Sequence, residues 1–220
     1  MIEQQLASLF RKFPDVLYGY TDISYSSLAQ KYQSALVFAV PYDPQITMDT
    51  YSEELFEISI SNAKKRELAI LKHIEQICTT NGAQYKIPPM AQKDETDLIA
   101  EFSFKFAAVN AGLGWIGKND VLITEHYGPR IRLSVVLIDV PLLHGTKVTE
   151  SRCPYDCNRC VDACPHHALS GVMWDYNAKR NELIDYHLCN QKRSQYIKKH
   201  GRKHACGICM AACPFGTKEM

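Results

Sequence analysis

The sequence of 220 residues has no apolar run close to the roughly 20 residues that a transmembrane helix requires. Its first residues, MIEQQLASLFRKF, lack the apolar core of a secretory signal peptide. Neither sign of charge dominates, since 25 Lys and Arg stand against 24 Asp and Glu. There is also no low-complexity segment, and no internal repeat apart from two groups of cysteines. These absences predict a cytoplasmic protein without a membrane association.

Cysteine, in contrast, is abundant and clustered. Eight of the nine cysteines lie in the last third of the chain, in CPYDCNRCVDACP, at an outlying Cys189 and in CGICMAACP. Each group ends in Cys-x2-Cys-x3-Cys-Pro, the ligand signature of paired [4Fe–4S] clusters in which the last cysteine ligates the other cluster. We predict a first-group cluster and a second-group cluster, held respectively by Cys153, Cys157, Cys160 and Cys213, and by Cys189, Cys206, Cys209 and Cys164.

Two other uses of these cysteines stay open. Structural zinc can use Cys-x2-Cys pairs, although not readily two Cys-x3-Cys-Pro tails. A disulfide framework would require a secreted protein. Cys153 departs from the pattern because three residues, not two, separate it from Cys157. Cys78 stands apart from both groups and is expected to be a buried core thiol.

The rest of the chain predicts an α/β domain over residues 1–148, followed by a ferredoxin-like domain with two clusters over 149–220. Apolar runs and periodicity place strands at Ala35–Val40, Val121–Thr124 and Arg132–Val140 and a short strand near 83–90. Helices are expected over 1–13, from Ser52 to about Thr80, and from Asp97 to Asn110. A polar connection is expected between residue 14 and the first of these strands.

Between the last helix and the last strand lies AGLGWIGKN, residues 111–119. Its glycines follow G-x-G-x-x-G, but a dinucleotide fingerprint needs a strand first and a helix second, and here a helix leads into a strand. This stretch, the ITxxYGPRxRL pattern at 123–133 and the double cluster motif together resemble the epoxyqueuosine reductase family. The N-terminal half of that family is similar to the cobalamin-binding core of reductive dehalogenases.

The resemblance implies a base-off cobalamin that receives electrons from the two clusters and reduces an epoxide carried by tRNA. The residues implied to lie beside the corrin are Gly112, Gly114, Trp115, Ile116, Gly117, Lys118 and Asn119. Trp115 could equally be a core aromatic. Members that act on tRNA carry an Asp-Thr-Gly motif whose aspartate is the presumed proton donor. Counting back from Gly112 places Asp97 one position from that register, without Thr-Gly after it, and the alternative role for Asp97 is a carboxylate at a helix start.

We therefore predict an iron–sulfur reductase that uses cobalamin on a small-molecule or tRNA-borne substrate, with an electron donor such as a ferredoxin or flavodoxin. The basic stretch QKRSQYIKKHGRKH, residues 191–204, could dock such a donor or a phosphate backbone, or could be a solvated loop. Two alternatives remain. One is a non-catalytic ferredoxin-type electron carrier, and the other is an activator that reduces the corrinoid of another protein.

Overall fold

The computed structural model describes residues 1–90, 100–191, 195 and 206–217. The chain forms two compact units, each assembled from separate segments. The first consists of Met1–Pro41, Asn62–Leu113 and Ile131–Val148. The second consists of Tyr42–Ser61, Gly114–Arg130 and Thr149–Met220. The last segment of the first unit ends at Val148, and the last segment of the second begins at Thr149. The second unit also contains two segments that come from residues before 148. The assignment of 1–148 and 149–220 as functional domains stays a prediction.

The described residues contain both helices and strands. The helices are α1 (Ile2–Phe10), α2 (Glu53–Thr80), α3 (Phe104–Asn110), α4 (Arg159–Asp162), α5 (Arg180–Leu183) and α6 (Ile208–Ala211), with a 3-10 turn at Ser27–Gln30. The strands are β1 (Leu17–Asp22), β2 (Ser34–Pro41), β3 (Tyr85–Lys86), β4 (Trp115–Ile116), β5 (Leu122–Ile123) and β6 (Ile131–Ile138). Residues 186–191 are also helical. None of the helices in the described ranges is both long and apolar enough to cross a membrane.

The first unit is built on a four-stranded sheet in the order β1-β2-β6-β3. Each pairing is antiparallel, with Leu36 opposite Tyr20 on one side and Val136 on the other. All eight residues of β2 are buried. A strand buried on both faces needs cover on both faces, which explains why β2 reads as a continuous apolar run and not as an alternating one.

Helices supply that cover. On one face, Phe10 of α1 stacks on Tyr18 with ring centroids 4.2 Å apart. On the same face, Glu67 of α2 pairs with Arg132 of β6. The other face carries α3, whose C-cap residue Ala111 lies so close to Gly19 that a Cβ on Gly19 would be 2.8 Å from the Ala111 carbonyl oxygen. The first unit therefore has three layers, with β2 at the centre.

The mixed α/β class predicted from the sequence is confirmed, whereas two local predictions were wrong. The residues assigned to a polar connection include β1, whose pairing with β2 makes it a strand although only Tyr20 and Thr21 are buried. The helix expected from Asp97 begins at Phe104. Residues 100–103 lie outside it because Ser103 is its N-cap, with Oγ accepting a hydrogen bond from the Phe106 amide at 3.3 Å.

The second unit contains little regular structure. Its sheet is the β4–β5 pair, in which Trp115 lies opposite Ile123. Isolated bridges join Glu150 to Asp175 and Leu169 to Ile184. Turns and short helices carry the cysteines, and side-chain hydrogen bonds to backbone carbonyls help to hold these turns.

Candidate metal centre

The four cysteines assigned to the first-group cluster line one cavity of the second unit, together with Lys118, Asn119, Ile123, Pro154, Pro214 and Phe215. Cys153 is among them in spite of its longer spacing. Cys213 lies in the turn after α6, 53 residues after Cys160 and 60 after Cys153. The fold therefore brings the last cysteine of the second group to the first three of the first group, as the sequence pattern predicts for crossed ligation.

The other four cysteines also gather in one place. Cys209 lies close enough to Cys206, Cys189 and Cys164 for the thiols to affect its ionisation, and Cys160 acts on it as well. Cys164, Cys189 and Cys209 pack around a small apolar core made of Ala168, Leu169 and Ile184. Because Cys160 and Cys209 belong to different predicted ligand sets, the two sets adjoin each other.

Burial makes several of these thiols hard to ionise in the absence of a metal. It raises the pKa of Cys160 to about 11, with the Cys153 and Cys157 thiols adding to the effect. It also raises the pKa of Cys213 to about 12, against the opposing influence of the Phe215 amide and Arg130. The pKa of Cys209 lies well above its usual range for the same reason. Thiolate ligation must therefore displace protons from buried sulfur atoms.

Lys118 fixes the loop that carries the first cysteines. Its ammonium Nζ donates to the carbonyl oxygens of Tyr155 at 2.8 Å and Cys157 at 3.1 Å, and to Asn158 Oδ1 at 3.1 Å. These three acceptors satisfy the three donors of a lysine side chain. The side chain is 3% exposed. A lysine from the turn after β4 thus holds the backbone between Cys153 and Cys160.

Arg130 fixes the turn that follows α6. Its Nη1 donates to the carbonyl oxygens of Met210 at 3.0 Å and Cys213 at 2.9 Å, and Nη2 donates to Phe215 O. Its Nε donates to Gln45 Oε1 at 3.1 Å. Burial lowers the pKa of the Arg130 guanidinium, and the adjacent Cys213 thiol acts in the opposite direction. The fixed fork of donors therefore sets the path of the chain on both sides of Cys213.

Two neutral side chains contact the second cysteine group. Asn119 Nδ2 donates to the Cys209 carbonyl at 3.3 Å, and the Tyr51 hydroxyl donates to Cys206 O. Gly207 packs against the ring of Phe56, where a Cβ would lie 2.2 Å from Cζ. Segments 42–61 and 114–130 thus supply side-chain hydrogen-bond donors to the backbone of the cysteine turns.

Most of the residues expected beside a corrin are packed against other parts of the protein. Gly114, Trp115, Ile116, Gly117, Lys118 and Asn119 are all buried by the protein, whereas Gly112 is exposed. A Cβ on Gly114 would lie 2.0 Å from Ile123 O, so this glycine permits the close approach of β4 and β5. Gly112 has φ +76 and faces Thr146 O in the first unit. Trp115 is a fully buried aromatic in edge-to-face contact with Phe215 at 4.9 Å. Their contact with cobalamin stays a prediction.

Asp97, the predicted proton donor, lies outside the described residues. So does most of the basic stretch 191–204. The first turn of α3 does not include Asp97, because α3 begins at Phe104. Asp97 is therefore not a first-turn carboxylate of α3.

The sequence gave no indication that Arg130 and Gln45 support the cysteine turns. Lys118 was expected beside a corrin, and its hydrogen bonds to the first cysteine loop were not predicted. A lysine or arginine is usually exposed, so residue type gives no warning of burial. One local signal exists for Arg130. It falls in GPRIRLSVVLI, at the start of a strand too apolar to be solvated, where a charged residue needs internal partners.

Comparison with known proteins agrees with this geometry. Residues 152–216 match the family described as a 4Fe-4S double cluster binding domain. An epoxyqueuosine reductase of Listeria monocytogenes is 31% identical over 135 residues, which cover 59% of this chain and 34% of that protein. The chain is similar to the epoxyqueuosine reductases. It spans about a third of the length of the curated relatives that it matches.

Solved structures show the same fold. A crystal structure of epoxyqueuosine reductase with an epoxyqueuosine-modified tRNA stem loop matches with a TM-score of 0.64 at 18% identity, covering 100% of this chain and 67% of that one. A reductive dehalogenase structure that suggests a mechanism for B12-dependent dehalogenation matches with a TM-score of 0.62 at 16% identity, covering 97% of this chain and 31% of that one. Relatives with the double cluster domain and this fold confirm the resemblance found in the sequence.

Proposed function

We propose that the chain is an iron–sulfur oxidoreductase in which two [4Fe–4S] clusters with crossed ligands pass electrons to a cofactor or substrate. The observation that carries the proposal is the cavity shared by Cys153, Cys157, Cys160 and Cys213. Four cysteine sulfurs are the donor set of a [4Fe–4S] cluster, so the residues present fit that group. The crossed arrangement brings the clusters close, which favours electron transfer between them.

The crossing is tested by Cys213→Ala after anaerobic reconstitution. Wild-type protein is expected to bind about eight irons per chain, because each cluster holds four. The variant is expected to lose the first-group cluster and to keep about four irons in the second-group cluster. Cys78→Ala is the matched control, since it removes a buried thiol outside both groups and should retain the full complement. Loss of the second-group cluster in Cys213→Ala would show that the ligands are not crossed.

Zinc is the competing metal. Within the described ranges, no group of three or more His, Cys, Asp or Glu side chains is arranged to bind a single metal ion. Metal analysis of protein purified without oxygen decides between the two. Iron and acid-labile sulfide in equal amounts support the clusters, whereas two tightly bound zinc ions without iron would refute them.

We also propose cobalamin as the cofactor that receives the electrons. The likeness to epoxyqueuosine reductases and to a B12-dependent dehalogenase supports this. When bound, cobalamin supplies a low-valent cobalt able to reduce epoxides and organohalides. Contact of residues 112–119 with the corrin is part of this proposal and rests on the family resemblance, while Lys118 and Asn119 also hold the cluster loops. Anaerobic addition of cobalamin should produce the visible spectrum of the base-off form, and an unchanged free-cobalamin spectrum would favour a ferredoxin-type electron carrier.

The substrate is proposed to be a small molecule or a nucleoside within tRNA. A tRNA stem loop is bound in the related crystal structure, which supports the second possibility. A ferredoxin or flavodoxin is the proposed electron donor. The cytoplasm is the proposed location, because ligation by thiolates needs a compartment that keeps cysteines reduced. An activator of another corrinoid protein would instead reduce that protein's cobalt and leave tRNA unchanged.

Asp97 is the proposed proton donor, on the basis of sequence register alone. Reduction of an epoxide takes up two electrons and two protons overall, and a carboxylic acid within hydrogen-bond reach of the leaving oxygen supplies one of those protons. Asp97→Asn should abolish turnover of epoxyqueuosine-containing tRNA while both clusters remain. Asp94→Asn, three residues away, is the matched control and should retain activity. Wild-type activity in Asp97→Asn would show that Asp97 is not the proton donor.

A further inference from the structure

We propose that the buried cations Lys118 and Arg130 raise the reduction potential of the first-group cluster. This rests on the proposed function, because it requires that the cluster is present. Both residues are positioning residues that act on the cluster through charge and through the loops that carry its cysteines.

The first observation is their burial. Of the lysines and arginines that the structure describes, Lys118 at 3% exposure and Arg130 at 0% are the buried ones. Both belong to the segment 114–130, and both reach the first-group cysteines. Lys118 lines the cavity that those cysteines share, and Arg130 donates to the carbonyl of Cys213 itself.

The second observation is the absence of a compensating carboxylate. The hydrogen-bond acceptors of both side chains are carbonyl or amide oxygens, which carry no net charge. Among the described residues, no aspartate or glutamate forms an ion pair with either cation. The carboxylate of the same turn, Asp120, faces Arg180 at 3.6 Å. Uncompensated buried charges are expensive unless an anion is bound nearby.

A [4Fe–4S] cluster with four cysteine thiolates is that anion. One-electron reduction adds a further negative charge to the cluster, with no bond broken and no proton required. A fixed positive charge in a poorly solvated site stabilises the reduced form more than the oxidised form, which raises the potential. The described donors to the second group, Asn119 and Tyr51, are uncharged and have no such effect.

The test is an anaerobic dithionite titration of the reconstituted protein, with each cluster followed by its electron paramagnetic resonance signal. The signal of the second-group cluster is identified from Cys213→Ala, in which it remains alone. Lys118→Gln and Arg130→Gln should each lower the potential of the first-group cluster and leave the other unchanged. We expect at least a tenfold fall in the ratio of reduced to oxidised first-group cluster at fixed potential, or about 59 mV for one electron.

Charge and shape are separated by matched variants. Lys118→Arg and Arg130→Lys keep the charge and should keep a potential close to that of wild type. Arg152→Gln removes a cation directly before Cys153, but that side chain is 58% exposed and paired with Glu125 at 2.8 Å, so solvent screening should leave the potential unchanged.

Three results would overturn the proposal. One is an unchanged potential in both glutamine variants with eight irons bound. Another is an equal shift in the charge-preserving variants, which would show that loop geometry and not charge is responsible. The third is loss of the first-group cluster in both glutamine variants, which would make the two residues purely structural. Wild-type protein without iron would refute the proposed function itself before any comparison is made.

Discussion

Replacing Gly128 with alanine should selectively remove the first-group cluster, although Gly128 is not a ligand. Gly128 has φ +56, a left-handed conformation, and a Cβ placed there would lie 1.9 Å from the Phe215 carbonyl oxygen. That oxygen accepts a hydrogen bond from Arg130, and Phe215 is two residues after Cys213. Real Cβ contacts do not fall below 3.0 Å, so the carbonyl must move by about 1.1 Å.

The cost has two parts. A left-handed conformation in a residue with a Cβ costs roughly 1–2 kcal/mol. Loss of a hydrogen bond to a charged group costs about 1.5–3 kcal/mol more. Gly82→Ala isolates the first part, because Gly82 has φ +66 and nothing within 4 Å of its Cβ position. Gly82→Ala should therefore be destabilised slightly and keep both clusters, whereas Gly128→Ala bears the whole cost at the turn that holds Cys213.

The assay is iron content after reconstitution and again after exposure to a chelator, together with the melting temperature. We expect Gly128→Ala to retain about four irons where Gly82→Ala retains about eight, in line with four irons per cluster. Gly128→Ala could instead keep all its iron and have the same melting temperature as Gly82→Ala. In that case the Phe215 carbonyl is not held as we describe, and this turn does not control the stability of the first-group cluster.

Two further predictions concern the first unit. Glu67→Gln should lower the melting temperature strongly, since it leaves Arg132 part-buried without its carboxylate and breaking such a pair costs about 3 kcal/mol. Asp15→Asn breaks the more exposed pair with Arg66 and should cost less than about 1 kcal/mol by the same measurement. Burial raises the pKa of Cys78 from 9.0 to about 11, so the unfolded chain loses this proton at a lower pH than the folded protein does. The contribution of Cys78 to stability should therefore be complete below pH 9 and fall as the pH rises to about 11, a slope that urea titrations of Cys78→Ala should lack. A parallel pH profile in that variant would contradict the burial of this thiol.

Some of the architecture could be predicted because its cause is local. β2 and β6 are long apolar runs, and the cysteine groups follow the spacing that ligation demands. β1 could not be predicted in the same way. Its sequence, LYGYTD, has neither an apolar run nor a clean alternation, and its extended form is stabilised by pairing with β2. The start of α3 was missed because it is set by a single serine, Ser103, which caps the helix.

The gathering of Cys213 with the first three cysteines follows from the sequence pattern, whereas the side chains that support the cysteine turns do not. Nothing near Lys118 in sequence indicates that its ammonium binds carbonyls about forty residues further along the chain. The same holds for Arg130, whose acceptors lie about eighty residues away. Such contacts depend on how distant turns meet, which no local periodicity encodes. The resemblance implied that the stretch around Lys118 contacts a corrin, which stays a prediction, whereas the structure shows Lys118 bonded to the first cysteine loop.

The discontinuous second unit also limits how this centre could be inherited or transplanted. A contiguous ferredoxin-like segment can be excised and fused to another protein if it contains all the residues that hold its clusters. Here a cut at 148/149 would leave behind Lys118, Asn119 and Arg130, which hold the carbonyls on the cysteine turns. During synthesis these three side chains leave the ribosome before any of the eight cysteines. The residues that support the cysteine turns are therefore already synthesised when the iron-binding segment emerges.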